Sequence, residues 1–506
     1  MGGSSNGEVN ESDITVHVSP VSHVEQPDNT LRRRDIIWRK IKKYAGFIGP
    51  GMMVSVAYMD PGNYSTDTSA GAAKQFRLLF VILLSTIIAM YLQTLAIKIG
   101  CVTGKDLAVN CRNHLPKWVG ICLYIFAEIA IIATDIAEVI GTAIALNILL
   151  HIPLIAGVIL TIVDVMLVLL AYRPGKGIKA VRIFEIMVTI LIFAVVICFC
   201  VLLGKIPPAN VGQVFLGYLP SHYVIDNGGV YMSAGILGAT VMPHSLYLGS
   251  AMAVPRAKDY DLKHGYEGEV DEKELGYNYQ PSQAAIRYSY RYSVIEMGVT
   301  LCSFAVFVNS AILIVAGATM YGKEDADGAD LYTLYDMLKL YLSKGAAVTF
   351  MVALLCSGQS AGVICTIAGQ IVSEGHLNWR VKPWIRRIIT RLIAMTPCIV
   401  VVAAVGKRGL SDALNWSQVV LTITLPFLAA PLVYLTSNKS VMKVDTVSYD
   451  MELTDSESAT DGDASKSRKY YNNHWITTIL GAAICIFILI TTIYLLVQVG
   501  LTGQAG

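Results

Sequence analysis

Eleven times along this chain a run of twenty or more mostly apolar residues recurs between short polar stretches: 46–71, 78–102, 118–149, 152–172, 180–204, 228–254, 287–317, 344–372, 385–405, 414–436 and 474–500. A helix needs about 20 apolar residues to cross the hydrocarbon of a bilayer, where every backbone polar group must be satisfied within the protein. The pattern predicts an all-α polytopic membrane protein with eleven transmembrane spans. Composition agrees, because 54% of the 506 residues are hydrophobic and 15% are charged, against about 25% charged in a soluble domain. That excludes a soluble enzyme. A formal net charge of +2 without a continuous basic face excludes a nucleic-acid partner, so the lipid bilayer is the expected surroundings. Most of the ten cysteines lie inside the apolar runs with no Cys-His spacing and read as small core residues.

Charge sets the orientation. Residues 1–45 are a Ser, Asn, Glu and Asp-rich tract ending in Arg32-Arg33-Arg34 and Arg39-Lys40-Ile41-Lys42-Lys43, read as a disordered tail rather than a signal peptide. The connections that share its side of the membrane carry Lys105, Arg112 and Lys117; Arg173, Lys176, Lys179 and Arg182; Arg256, Lys258 and Lys263; Arg380, Lys382, Arg386 and Arg387; Lys439 and Lys443. By the positive-inside rule the N-terminus is cytoplasmic. The acidic stretch Asp450 to Asp463, within a linker 437–473, falls on the same side and precedes the final span in 474–506.

Two spans carry helix breakers at membrane depth. Asp60-Pro61-Gly62-Asn63 interrupts the first, and Gly235 through Ala239-Thr240-Val241-Met242-Pro243-His244 interrupts the sixth. Breaks five spans apart suggest two repeated halves, 46–204 and 205–436, with a binding site between the breaks at the midplane. Asp60 at that depth costs about 3 kcal/mol unless it meets a cation, a proton or a pore. Asn63 adds an amide oxygen, the unwound backbone at Ala239 a carbonyl, and Met242 a thioether. Oxygen donors alone would suit Ca²⁺ and Mg²⁺, whereas the sulfur favours Mn²⁺, Fe²⁺ or Co²⁺. In the third span Asp135 and Glu138 share a helix face, with Glu128 two turns before Asp135 and Arg391 of the ninth span as a possible partner, a polar line suited to protons. His244 beside the site titrates near neutrality when unperturbed.

At these residues the sequence resembles the Nramp family of proton-coupled divalent metal transporters, and within it the fungal manganese transporters. The resemblance rests on Asp60-Pro61-Gly62-Asn63 and Met242-Pro243-His244, with Thr134-Asp135-Ile136-Ala137-Glu138-Val139-Ile140-Gly141, Gly358-Gln359-Ser360, Ala368-Gly369-Gln370 and Thr390-Arg391 in support. It implies a LeuT-like fold of two inverted five-helix repeats plus a peripheral eleventh span. It implies metal ligation by Asp60, Asn63, the Ala239 carbonyl and Met242, with Gln418 approaching the ion in occluded states. Protons would leave past Asp135, Glu138 and Arg391, so the expected cargo is a divalent ion, Mn²⁺ foremost, with H⁺ and no resident cofactor. The chain departs from many relatives in lacking a second histidine after Met242-Pro243-His244. Two other readings stay open: a symporter of an organic substrate such as an amino acid, whose carboxylate Asp60 would repel, and a metal-sensing receptor without net transport. The Asn63-Tyr64-Ser65 and Asn415-Trp416-Ser417 sequons lie in membrane helices and are chance matches. His151 and His376 read as solvated, and the tyrosines of 277–292 as an interfacial belt with adjacent cytoplasmic loop.

Overall fold

The computed structural model describes residues 50–171, 178–207, 211–226, 228–265, 279–323, 330–378, 383–447 and 466–502. The chain divides into two units, Met1–Gly46 and Phe47–Gly506, and the described residues belong to the second. The tail 1–45 and the acidic stretch 450–463 lie outside them.

The first crossing is two helices, α1 (Pro50–Val56) and α2 (Pro61–Lys74), joined by an extended corner. Asp60 makes the corner: its backbone is extended, its carboxylate accepts from the Asn63 N–H, and Pro61 occupies the first helical position, where a missing N–H costs nothing. Next come α3 (Leu79–Thr103), a short α4 (Leu107–His114), α5 (Lys117–Leu150), α6 (Leu154–Ala171) and α7 (Ile178–Leu203). A short α8 (Val211–Leu216) leads to the second broken crossing, α9 (Gly229–Thr240) and α10 (Pro243–Lys263), where Pro243 again opens the second piece. The seventh crossing, α11 (Gln283–Thr300) and α12 (Val306–Thr319), is joined by a π-helical turn at Leu301–Ala305. Then follow α13 (Leu331–Tyr341), α14 (Lys344–Leu377), α15 (Pro383–Ala404), α16 (Lys407–Ser437) and, last, α17 (Trp475–Thr502).

Seven helices among the described residues are long and apolar enough to cross a membrane, with a shorter apolar one at Ile388–Ala404. The first and sixth predicted spans are absent from that set for a physical reason, since each is cut in two by its proline. Three connections carry helices that hydrophobicity alone did not predict. Of these, α4 and α13 begin at Asp caps, with Asp106 accepting from Val109 N at 2.9 Å and Asp330 from Thr333 N at 2.7 Å. The fold is also not purely helical. Strands β1 (Lys443–Val447) and β2 (Lys466–Tyr470) pair antiparallel within the predicted linker, from Lys443 opposite Tyr470 to Val447 opposite Lys466.

The core lies around α14, which packs against α5, α7 and α13, while α5 also meets α16. At its centre Tyr64, Phe199 and Phe350 cluster with ring centroids 5.6 to 6.1 Å apart. Side chains of α17 are largely exposed on one face, as expected for a helix with lipid at its back.

Candidate ion site between the two broken helices

The breaks free backbone carbonyls in a way that can be counted. In a helix the carbonyl of residue i accepts from the N–H of i+4, and proline has none. Pro243 therefore leaves the Ala239 carbonyl without its helical donor. Pro61 does the same for Ala57, a position the sequence reading missed although the same count would have found it.

The side chains at the corner are fully buried. Asp60 Oδ1 accepts from Asn63 N at 3.0 Å and from Asn63 Nδ2 at 2.9 Å, whereas Oδ2 is buried with no hydrogen-bond partner. Across the gap Thr240 Oγ1 donates to Asn63 Oδ1 at 3.5 Å, which brings the two breaks together. Met242 caps α10 in an extended conformation and is fully buried. Gln418 of α16 lies directly over Gly62, so that a Cβ there would overlap its amide; only glycine permits that approach. Its Oε1 is a second buried acceptor with no partner. Gly141 of α5 and Gly358 of α14 press on the ring of Pro61 from behind, which gives two of the quoted motifs a steric purpose.

A hydrogen-bond network ties the corner between α1 and α2 to the second break. Tyr58 and Ser245 hydroxyls stand 2.9 Å apart, and Gln93 Nε2 donates to Tyr58 at 2.8 Å and to both Ser245 oxygens at 3.0 Å. Neither Tyr58 nor Gln93 was singled out from the sequence, because each is an isolated polar residue within an apolar run.

His244 is buried, with Nδ1 3.5 Å from Thr134 Oγ1, and so joins the site to α5. One residue on, Arg391 of α15 donates to the Asp135 carbonyl at 3.2 Å and stands 3.4 Å from Glu138 Oε2. Asp135, Glu138 and Cys365 present ligand atoms all within 4.8 Å of one another. Glu128, read as part of the same polar line, pairs at 2.5 Å with Arg386, a basic residue read only as an orientation signal. Arg386 precedes Arg391 by five residues, rather more than one helical turn, so each arginine serves its own level of α5.

Two further readings are corrected. His376 is buried rather than solvated, held 3.4 Å from the Tyr247 hydroxyl and beside Tyr124. Tyr279 is buried too and donates to Asp261 Oδ2 at 2.7 Å, so the tyrosine stretch is not wholly a membrane-interface belt; Tyr277 lies outside the described residues. His151 is exposed at the end of α5. The two sequons do sit in helices, where Ser65 Oγ donates to Asn415 Oδ1 at 2.8 Å.

Two broken crossings facing each other inside a bundle of apolar helices, with orphaned acceptors between them, define an integral membrane transporter of LeuT-like architecture. The chain belongs to the Nramp family: the family model described as natural resistance-associated macrophage protein-like matches residues 51–454. The chain is 47% identical to the manganese transporter SMF1 of Saccharomyces cerevisiae over 97% of this chain and 92% of that protein. It is 52% identical to the iron transporter SMF3 of the same yeast over 80% and 84%. Among solved structures, the Eremococcus coleocola manganese transporter in complex with an aromatic bis-isothiourea compound superposes with a TM-score of 0.73, at 31% identity, covering 92% of this chain and 88% of that one. MhsT in complex with L-phenylalanine shares the fold alone, with a TM-score of 0.51 at 14% identity over 88% and 98% of the two chains.

Proposed function

We propose that this protein carries divalent transition-metal ions, Mn²⁺ foremost and Fe²⁺ or Co²⁺ with it, into the cytoplasm by alternating access, driven by protons. The observation that carries the reading is the pair of buried, unpartnered acceptors, Asp60 Oδ2 and Gln418 Oε1, beside the carbonyls that Pro243 and Pro61 release. Burying a carboxylate oxygen without a donor is costly, and a cation removes the cost. In this reading Asp60, Asn63, the Ala239 carbonyl and Met242 hold the ion and Gln418 closes over it. The thioether sets the preference for transition metals over Ca²⁺ and Mg²⁺. The names of SMF1 and SMF3 support manganese and iron as cargo.

Protons take a separate line. His244 of α10, Thr134, Asp135 and Glu138 of α5, and Arg391 of α15 make a polar series that continues to the Glu128 and Arg386 pair. This series leads from the break toward the end of α5 near Lys117. We place that end, with the N-terminus, in the cytoplasm on the strength of the basic connections. Spans one to five and six to ten act as inverted repeats. Reconstituted protein should take up Mn²⁺ faster under an inward pH gradient, and Asp60→Ala should abolish uptake. Undiminished Mn²⁺ flux through a folded Asp60→Ala protein would sink the reading.

A further inference from the structure

A second acidic residue stands on the same helix as Asp60 and is explained by nothing above. Asp67 of α2 is fully buried, and neither of its carboxylate oxygens has a hydrogen-bond partner among the described residues. Seven residues at 100° each return to within about 20° of the starting face, so Asp67 lies two turns, about 10 Å, beyond Asp60 and on its side of the helix. Its neighbours on α2 fix the surroundings. Ser65 bonds Asn415 of α16, Thr66 faces Gly235 of α9, and Gly71, one turn beyond Asp67, packs on Leu313, Ala316 and Gly317 of α12. Asp67 is therefore enclosed by the broken helix of the second half and by α12, and the adjacent Thr68 hydroxyl is likewise buried without a partner.

Its direction from the site matters as much. Helices α2 and α5 cross the membrane in the same sense, with α3 returning between them. Glu128 lies toward the start of α5, whereas Asp67 lies toward the end of α2. The two acids are thus on opposite sides of the Asp60 corner, and Asp67 is away from the polar series assigned to protons. A buried carboxylate with neither hydrogen bond nor ion pair is tolerated when a mobile cation neutralises it.

We propose that Asp67 is a second cation-binding residue, an outer station that captures the incoming divalent ion and passes it two turns down α2 to Asp60. The proposal rests on the reading of Asp60 as the principal ligand. The donors on offer there are the Asp67 carboxylate and the adjacent Thr68 hydroxyl, hard oxygens that suit a partly hydrated ion, so Asp67 raises capture rather than selectivity. In the oriented protein it belongs to the external half of the passage.

The test uses the full chain in liposomes, with initial rates measured over a range of Mn²⁺ concentrations. Asp67→Asn keeps shape and removes charge, so it should raise the KM for Mn²⁺ by about tenfold, the equivalent of about 1.4 kcal/mol, with kcat changed less than twofold, and Asp67→Glu should restore most of the affinity. In an Asp60→Ala background, weak Mn²⁺ binding seen by electron paramagnetic resonance should persist and should vanish when Asp67→Asn is added. An unchanged KM with a lowered kcat, or with an altered pH profile alone, would overturn the proposal in favour of a packing or a proton role. Because Asp60→Ala is assayed alongside, uptake surviving that change would instead indict the underlying assignment of the ion site.

Discussion

In the proposed ion site Asp60 carries the formal charge, and removing it would leave neutral donors to strip a strongly hydrated cation, which is why its loss is expected to be absolute. Gln418 is different in kind, since it approaches from another helix and, in the proposed reading, meets the ion only when the passage is closed. Gln418→Ala should lower Mn²⁺ affinity severalfold and leave measurable transport, checked by calorimetric binding and uptake on the same preparation. Met242→Ala should cost discrimination more than flux: without the sulfur an all-oxygen site remains, and excess Ca²⁺ or Mg²⁺ should compete with Mn²⁺ where it did not before. Equal exclusion of Ca²⁺ by the variant would show that the thioether is not the selectivity element. Arg391→Ala and Glu138→Gln should slow proton movement while sparing Mn²⁺ affinity, measured by a pH-sensitive dye in the vesicle lumen. Most of these residues were legible because each stands against its background, a charge or an amide inside an apolar run beside a proline. Tyr58, Gln93 and Arg386 were not, because their roles depend on what another helix presents to them.

Among the elements, α1 is the one whose attachment looks reversible. It is short, and although its described side chains are buried its start is pinned by a polar clamp. Gly51 N donates to Glu296 Oε1 at 2.9 Å and Thr300 Oγ1 donates to Gly51 O at 3.3 Å, both from α11. Arg256 of α10 grips Glu296 at 2.5 Å and Ser293 at 2.9 Å. Under the proposed alternating access the α1 half of the broken helix moves, and this clamp must part for it to do so. Breaking a buried ion pair by removing one partner costs about 3–5 kcal/mol, here paid by the closed state alone. Glu296→Ala should therefore bias the protein toward opening on the α1 side, seen as faster hydrogen exchange of α1 amides with α14 unchanged. Unaltered exchange in α1 would mean that the clamp has no part in gating. The break itself was readable from Pro61 and Gly62. Its fastening was not, because Glu296 and Arg256 lie 40 residues apart on different helices and no spacing rule joins them.

At the scale of the whole molecule, α17 adds no group to the site yet braces it. Thr492 Oγ1 donates to the Thr422 carbonyl at 3.1 Å, and Thr422 Oγ1 bonds the Gln418 carbonyl one turn away at 2.9 Å. Thr492→Val should leave Mn²⁺ affinity within about twofold and lower the thermal midpoint by a few degrees, read by a melting assay in detergent. The apolar crossings were legible from hydrophobic run lengths, and the peripheral place of the last from the family resemblance. The turn that leads into it was not, because β1 and β2 are short, charged and separated in sequence. That ribbon is anchored, with Tyr471 N donating to Met442 O at 2.8 Å and Asn473 N to Thr436 O at 3.0 Å. Lys98 Nζ also donates to Asn473 Oδ1 at 2.7 Å. Since Val447 and Lys466 are cross-strand partners, the chain leaves and returns at a single point about 5 Å across. The residues between them can then lengthen, shorten or accept a foreign domain without altering the geometry of either flanking helix, because loop closure grows costly only slowly with length. Fluorescent fusions built into 448–465 should accordingly keep the same transport rate, read by Mn²⁺ uptake, which makes this ribbon a seam at which the chain tolerates inserted sequence.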